Sequence, residues 1–226
     1  MCGRFGVEQE YIQLALRYQA TVEALDPGPR YNVAPTQPVA VVGVRNGQRV
    51  LAEQRWGLVP HWAKDLSVGA RMINARAETV ADLPAFRDSL IRRRCIIPAT
   101  RFYEWQQHGP HKIPHSIQRT DGAPMTFAGL WAAWWDKEQE QVVRTCAIVT
   151  TTANSVMAKL HERMPVILED DDLGRWLDPA LTDEITLRDL LHPCADDTVY
   201  AYAVGPSVNN WRNDGPQLTL PVNPPA

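Results

Sequence analysis

The stretch of residues 39–51 reads VAVVGVRNGQRVL. It contains two valine-rich runs, residues 39–44 and 50–51, on either side of the dipeptide Asn46-Gly47. Asn-Gly between such runs is a strong signal for a β-hairpin, because both residues accept the positive φ angles of a tight two-residue turn. The stretch therefore predicts two antiparallel strands joined by a turn at Asn46-Gly47.

Other segments extend this pattern along the chain. Apolar runs predict buried strands, alternating residues predict one more strand, and helical spacing of apolar residues predicts amphipathic helices. The predicted strands are residues 94–98, 126–131, 142–150 and 198–204, and the predicted helices are residues 8–18 (ended by the breaker 26–29), 82–94, 154–162 and 171–176. Because strands outnumber helices and are spread through the chain, we expect an α+β protein. The sequence predicts a single domain over residues 1–226, built around an antiparallel, barrel-like β-sheet with flanking helices.

Composition restricts the classes of function. Hydrophobic residues make up 45% of the 226 positions, which is enough for a core. There is no apolar run near the 18 residues of a membrane span and no signal-peptide core at the start, so a cytoplasmic protein is expected, associated with the nucleoid if it binds DNA. The net charge of −3 excludes a strongly cationic nucleic-acid binder. DNA binding would need a local basic patch, for which Arg4, Arg71 and Arg76 are candidates, whereas residues 92–94 are interpreted as a solvated helix end.

Most of the cysteines and several tryptophans are predicted to be buried, whereas one residue of each type is predicted to have another role. None of the four cysteines forms a CxxC pair, so no zinc ribbon is expected, and neither a metal nor an organic cofactor is implied. Three cysteines are predicted to be small buried hydrophobes: Cys95, Cys146 and Cys194. Three tryptophans are predicted to lie in the core: Trp131, Trp134 and Trp135. Trp62, in the polar segment 60–64, is predicted to be exposed and available for stacking on a base.

Cys2 is the exceptional cysteine because of its position. Methionine aminopeptidase removes Met1 when the second residue is small, which would leave Cys2 with a free α-amine beside its thiol. With ordinary pKa values of about 8 and about 8.5, both groups have nucleophilic fractions at neutral pH. A 1,2-aminothiol captures an aldehyde as a Schiff base and then closes a thiazolidine ring. Gly3 keeps bulk away from this nucleophile, and the cation of Arg4 is expected to suit a phosphate and favour the thiolate.

The start of the chain, MCGRF, resembles that of SRAP proteins (SOS-response-associated peptidases). Further segments typical of that family follow in the family's order: residues 30–36 (RYNVAPT), 55–62 (RWGLVPHW), 73–79 (INARAET), 102–105 (FYEW), 148–151 (IVTT), 160–165 (LHERMP) and 204–222. The ordered set spans nearly the whole chain, so the sequence is identified as a member of the SRAP family. The chain ends at residue 226 without an added extension, which fits a bacterial-type, single-domain member.

The resemblance implies a substrate and catalytic residues. SRAP proteins recognise abasic sites in single-stranded DNA, whose ring-opened deoxyribose exposes an aldehyde that forms a thiazolidine crosslink with the residue matching Cys2. Asn74 resembles the amide that positions the Cys2 amine or a sugar hydroxyl. Glu104, between two aromatic residues and partly desolvated, resembles the general acid/base. His161 resembles a second proton-transfer group near the sugar ring oxygen.

Six residues are candidates for DNA contact. Arg4 and Arg76 fit phosphates that flank the lesion, because a guanidinium engages two oxygens. Asn32 and Pro35 are expected to shape the pocket for the abasic nucleotide. Trp62 is expected to stack on the neighbouring base, and Arg71 to belong to the same surface.

Two other functions remain open. Cys2, His161 and Asn74 also make a Cys-His-Asn set for a thiol peptidase, including an autopeptidase that removes Met1. The second alternative is a module that binds single-stranded DNA without a covalent bond. A lyase activity is a branch of the crosslinking chemistry, since a Schiff base that fails to close can promote β-elimination. A monomer is expected, and the partner expected for the main interpretation is single-stranded DNA that contains abasic sites.

Overall fold

The computed structural model describes residues 2–23 and 27–223, so Met1, Asp26 of the predicted helix breaker and residues 224–226 lie outside it. The strands are β1 (Phe5–Val7), β2 (Thr21–Val22), β3 (Arg30–Val33), β4 (Pro38–Arg45), β5 (Gln48–Trp56), β6 (Asn74–Arg76), β7 (Arg94–Ala99), β8 (Arg101–His108), β9 (His111–Arg119), β10 (Met125–Asp136), β11 (Gln141–Thr152), β12 (Arg163–Pro165) and β13 (Val199–Ala203). The helices are α1 (Tyr11–Tyr18), α2 (Arg87–Arg92), α3 (Asp170–Leu177) and α4 (Glu184–Asp189). The expected α+β class is confirmed.

The predicted hairpin is the pair β4–β5. The antiparallel pairing of β4 and β5 extends to Arg45 and Gln48, which lie opposite each other on either side of the turn. The two turn residues have positive φ angles, 52° at Asn46 and 76° at Gly47, as a type I′ turn requires. The turn chemistry of the sequence was therefore sufficient to locate this pair.

The larger sheet closes into a five-stranded ring. Around the ring, β11 pairs with β10, β10 with β7, β7 with β4 and β4 with β5, all antiparallel. The ring closes where β5 runs parallel to β11, with Thr145 opposite Arg55 and Cys146 opposite Trp56. Strands that alternate in direction cannot close a ring of odd number without one parallel pair. The predicted barrel-like sheet is confirmed, and its closing pair is parallel for this reason.

The second sheet packs against the barrel and brings the N-terminus to it. Its strand order is β13-β9-β8-β1-β3. Phe5 of β1 makes edge contacts with two barrel aromatics, at centroid distances of 5.0 Å to Trp56 and 6.3 Å to Phe127. Fully buried residues form a continuous cluster that includes Cys2, Phe5 and the inner faces of the barrel strands. Residue 2 therefore lies at the junction of the two sheets.

Two predicted helices are shorter than expected. The predicted helix 154–162 contains only the 3-10 turn Met157–Lys159. The Asn154 side chain accepts from the Met157 amide as a helix cap does, but β12 begins at Arg163, which pairs with Thr152 of β11, and so ends the turn early. In the segment 82–94, only Arg87–Arg92 is helical. Within residues 2–23 and 27–223, none of the helices combines the length and apolar character needed to cross a bilayer.

The interpretation of residues 92–94 as a solvated helix end is wrong for Arg94. Arg94 starts β7 and is buried. Its guanidinium donates five hydrogen bonds of 2.5–2.9 Å to carbonyl oxygens, which compensates the desolvation of the cation. The acceptors belong to Leu90, Ile91, Trp176, Asp178 and Leu181.

The predicted burial of aromatic and sulfur side chains is confirmed except at Trp135. Trp134 is buried and Trp131 half-buried, but Trp135 is 52% exposed. Successive residues of a strand point to opposite faces, so Trp134 and Trp135 cannot both enter the core. The three cysteines predicted as buried hydrophobes are buried free thiols: Cys95, Cys146 and Cys194.

Gly57 and Gly69 hold the segment after β5 against the barrel. Gly57 has a φ of 127°, and a Cβ placed on it would lie 2.5 Å from the Gly69 carbonyl oxygen. We expect Gly57→Ala to lower the free energy of unfolding by about 2–4 kcal/mol, from the steric clash and the unfavourable φ together. Urea unfolding of this variant measures the loss. Gly43→Ala is the matched control, because a Cβ at Gly43 meets nothing within 4 Å; an equal loss in both variants would contradict the explanation.

Candidate active site around Cys2

Cys2 is held where the two sheets meet. Its side chain is 0% exposed. Its carbonyl oxygen accepts a hydrogen bond of 2.9 Å from Nδ2 of Asn74. Asn74 begins β6, which pairs with β11 of the barrel at Ile148. The amide predicted to position Cys2 is therefore in contact with it, through the carbonyl oxygen.

Glu104 lies beside the N-terminal segment on β8. The β1–β8 register pairs Phe5 with Phe102, and the Tyr103 amide donates to the Arg4 carbonyl oxygen at 2.9 Å. Continuation of this antiparallel pairing places Glu104 next to Gly3, one residue from the candidate nucleophile. Glu104 is only 4% exposed, which confirms the expected desolvation of its carboxyl group.

The thiol of Cys2 is protonated in this environment. Burial raises its pKa well above the usual range, and the negative charge of Glu104 raises it further. Arg4 lowers this pKa through a hydrogen bond from its backbone, and its guanidinium is directed to other groups. It donates at 2.8 Å to both the Asn32 side-chain oxygen and the Val208 carbonyl oxygen, and it lies 5.8 Å from the Trp105 ring centroid.

His161 and Glu104 share one open cavity. The cavity has a volume of about 410 Å³, and its other lining residues are Trp105, Lys112 and Asn209. Nδ1 of His161 accepts a hydrogen bond of 2.9 Å from the Arg163 amide. A neutral His161 ring with this contact carries its proton on Nε2, so this nitrogen is the donor. The structure thus brings both predicted proton-transfer groups to the same cavity.

An ion pair that the sequence analysis missed holds His161 in place. The Arg163 guanidinium binds the Glu78 carboxylate with two hydrogen bonds, of 2.6 and 2.9 Å, and also donates to the Thr150 carbonyl oxygen at 2.7 Å. Thr150 of β11 lies opposite Arg76 on β6 and Pro165 on β12. The pair therefore connects the segment after Asn74 to the segment after His161. Both partners lie inside motifs quoted above, residues 73–79 and 160–165, but their spacing in sequence gave no sign of the pairing.

Removing the charge of Glu78 should cost stability in a pH-dependent way. The hydrogen bonds from Arg163 lower the Glu78 pKa, so the pair stabilises the fold above the ordinary pKa of the carboxyl group and loses this effect as pH falls through the lowered value. Because Glu78 is half-exposed, we expect Glu78→Gln to cost about 0.5–1.5 kcal/mol at neutral pH. Urea unfolding at neutral pH and at about pH 3 measures the difference from the unmodified protein, which should shrink in acid. A difference that grows in acid would contradict this assignment.

Asn32 supports the site instead of lining it. It is buried, and its Nδ2 lies within hydrogen-bonding distance of the carbonyl oxygens of Val208 (3.3 Å), Asn210 (3.1 Å) and Asn213 (2.8 Å). Asn32 therefore contributes to the predicted pocket indirectly, because it holds the segment 208–213 against Arg4. Pro35 lies two residues after Val33, and Val33 lies opposite Phe5. Pro35 is therefore at the same end of the sheet as Gly3.

The remaining predicted DNA contacts lie at different distances from Cys2. Arg76 is exposed and lies on the same face of β6 as Asn74, two residues away. Arg71 is exposed at the end of the 3-10 turn Leu66–Arg71. Trp62 is 56% exposed, as predicted.

Trp62 lies in a segment remote from Asn74. The adjacent Ala63 carbonyl oxygen accepts from the Trp134 indole nitrogen, and Trp134 pairs with Val143 of β11. Asn74 pairs with Ile148 of the same strand, about 17 Å further along. The structure therefore does not bring Trp62 next to Asn74 and Cys2.

The thiol of Cys2 is buried between a closed barrel and a second sheet, which places the start of the chain in the core. The chain belongs to the SRAP family, because the family model "SOS response associated peptidase (SRAP)" matches residues 1–211. It is 41% identical over 222 residues to abasic site processing protein YoqW of Bacillus subtilis, with 96% of this chain and 98% of that protein aligned.

Two more distant matches align over nearly their whole length. The identity is 28% over 228 residues to abasic site processing protein YedK of Escherichia coli, covering 98% of this chain and 100% of YedK. A crystal structure of a protein from Bacteroides thetaiotaomicron matches with a TM-score of 0.89 at 26% identity, covering 98% of this chain and 100% of that one. The expected family and its fold are confirmed.

Proposed function

We propose that this protein captures abasic sites in single-stranded DNA through a covalent bond to Cys2. The observation that carries the proposal is the position of Cys2, which is held by Asn74 next to Glu104 and beside the cavity of His161. The names of the relatives, abasic site processing proteins, support the choice of substrate. The crosslink would shield the strand from cleavage by β-elimination.

The chemistry begins after removal of Met1. The free amine of Cys2 attacks the C1′ aldehyde of the ring-opened deoxyribose, and the resulting carbinolamine loses water to give a Schiff base. The thiol then adds to the C=N carbon, and its proton is transferred to nitrogen. A five-membered thiazolidine results, so the adduct has the mass of both reactants minus one water.

Three neighbouring side chains would either transfer a proton or orient the reacting atoms of Cys2. Because burial and the Glu104 charge keep the Cys2 thiol protonated, ring closure needs a base, and the Glu104 carboxylate is adjacent to take that proton. The Nε2–H of His161 would donate to the sugar ring oxygen during ring opening. The Asn74 amide fixes the Cys2 carbonyl, and so orients the amine on the same residue.

The proposed DNA contacts are fewer near the lesion than the sequence predicted. Arg76, which is exposed on β6, would bind a phosphate beside the site. Arg4 would bind one only if the phosphate replaced one of the present acceptors of its guanidinium. Arg71 and Trp62 would contact more distant nucleotides. We propose a monomer that acts as one domain over residues 1–226, supported by the continuous buried cluster between Cys2 and Val199.

Intact mass spectrometry tests the proposal. Purified protein is mixed with an oligonucleotide that carries one abasic site and is then denatured. We expect a species equal to the protein without Met1, plus the oligonucleotide, minus one water. Free protein without Met1 beside intact oligonucleotide would overturn the crosslinking function.

The thiol peptidase alternative makes a different demand on Cys2. A peptidase needs only the thiol, whereas thiazolidine formation also needs the free α-amine of the same residue. Chemical blocking of the Cys2 amine with the thiol left free separates the two functions. We expect the blocked protein to lose adduct formation; cleavage of peptides that survives the block would favour the peptidase.

A further inference from the structure

Trp211 and Arg212 form an exposed pair beside the candidate active site. Trp211 is 46% exposed, although large aromatic side chains are usually covered. The Arg212 guanidinium carbon lies 4.7 Å from the centroid of the Trp211 ring, so one ring face is covered by a cation. The pair offers an exposed aromatic ring with a positive charge over one face, in a chain whose net charge is −3.

The segment that carries this pair is held firmly. Besides the contacts from Asn32, the Asn213 side chain donates to the Ser207 carbonyl oxygen at 2.8 Å. The Tyr31 amide donates to the Asp214 carboxylate at 2.6 Å. These contacts lie on both sides of Trp211. A ligand that stacks on the indole would therefore lose little of its binding energy to ordering the segment.

The pair lies close to the site of the proposed reaction. Asn209 lines the cavity of Glu104 and His161, and its side-chain oxygen accepts from the Trp105 indole nitrogen at 2.7 Å. Trp211 is two residues further along, so its Cα lies within about 7 Å of that of Asn209. The segment of Trp62, which was predicted to stack on a base, supplies none of the described lining residues of this cavity.

We propose that Trp211 and Arg212 bind the nucleobase next to the abasic nucleotide, a subsite that rests on the proposed function. An abasic nucleotide has no base, so the base beside it has lost a stacking partner on one face. The indole of Trp211 replaces that partner, and Arg212 adds a cation that can also meet the adjoining phosphate. Damaged strands are thereby favoured over intact ones, in which the same face is covered.

Equilibrium binding by fluorescence anisotropy tests this subsite. The ligand is a short single strand with a central tetrahydrofuran residue, which mimics the abasic sugar but has no aldehyde and cannot crosslink. We expect Trp211→Ala to weaken binding by about 5- to 100-fold, the range of one lost base stack, and Trp211→Phe to retain most of the affinity. Trp135→Ala is the matched control, since Trp135 is similarly exposed on the β10–β11 hairpin, and it should bind like the unmodified protein.

Removal of individual bases locates the contact. Oligonucleotides that lack one base at either side of the tetrahydrofuran are compared in the unmodified protein and in Trp211→Ala. One of the two neighbouring bases should matter to the unmodified protein and not to the variant. Affinity of Trp211→Ala within twofold of the unmodified protein, or an equal loss with every oligonucleotide, would overturn the subsite. Crosslinking to a natural abasic site at saturating protein should persist in Trp211→Ala, so a failure of the covalent function is detected separately.

Discussion

Cys2→Ser should form no denaturation-stable adduct with abasic DNA but should still give a Schiff base that borohydride traps. The serine variant keeps the α-amine and the small second residue that allows removal of Met1. A hydroxyl is a much weaker nucleophile than a thiol, so the Schiff base cannot close to a stable ring. Because an open Schiff base promotes β-elimination, we also expect more strand cleavage than with the unmodified protein. Denaturing gels with and without borohydride measure all three outcomes.

Cys194→Ser serves as the control for the serine variant, since Cys194 is also a buried free thiol. It should crosslink like the unmodified protein. A full yield of stable adduct from Cys2→Ser would show that the thiol takes no part in the bond. Loss of the borohydride-trapped species as well would indicate that the amine is not the first nucleophile.

Glu104→Gln should slow adduct formation by about 10²- to 10⁴-fold, the usual effect of removing a general acid/base. Glutamine preserves the shape of the side chain but cannot take the thiol proton. Removal of the negative charge at Glu104 also lowers the Cys2 pKa, which by itself would increase the thiolate fraction and accelerate the reaction. The two effects have opposite signs, so single-turnover rates from quenched gels decide between proton transfer and simple charge repulsion.

Glu138→Gln is the matched control for the loss of a carboxylate, because Glu138 is exposed in the turn between β10 and β11. Its single-turnover rate should equal that of the unmodified protein. An unchanged or faster rate in Glu104→Gln would contradict the role of Glu104 as the base.

Local signals in the sequence predicted much of the fold. The Asn46-Gly47 turn located one hairpin, and apolar runs located the centres of β7, β10 and β11. The closure of the ring between β5 and β11 could not be predicted, because it joins residues far apart in sequence by a parallel pair. The predicted helix 154–162 was too long because Thr152 pairs with Arg163 in the β11–β12 ladder, a tertiary contact that no periodicity reports.

The identity of the candidate site residues could be predicted from their chemistry and position in the sequence. Their contacts and pKa values could not, because these depend on tertiary packing. Cys2 stands out by position, and Asn74 and Glu104 lie beside it as the family resemblance implied. The state of its thiol was not predictable, since the pKa depends on burial and on a neighbour about a hundred residues away in sequence. The same is true of Arg4, whose guanidinium binds Asn32 and Val208.

The contacts between Arg4, Asn32 and the segment 208–213 also bear on how the protein is made. The ribosome synthesises Cys2 at the start, but the segment that borders its cavity emerges only near the end of translation. A nascent chain therefore carries its amine and thiol without the finished pocket, open to metabolic aldehydes and oxidants. Folding of the C-terminal part completes the surroundings of the nucleophile, and a chain truncated before residue 206 would keep its reactive end but lose the contacts of Arg4 and Asn32 with residues 208–213.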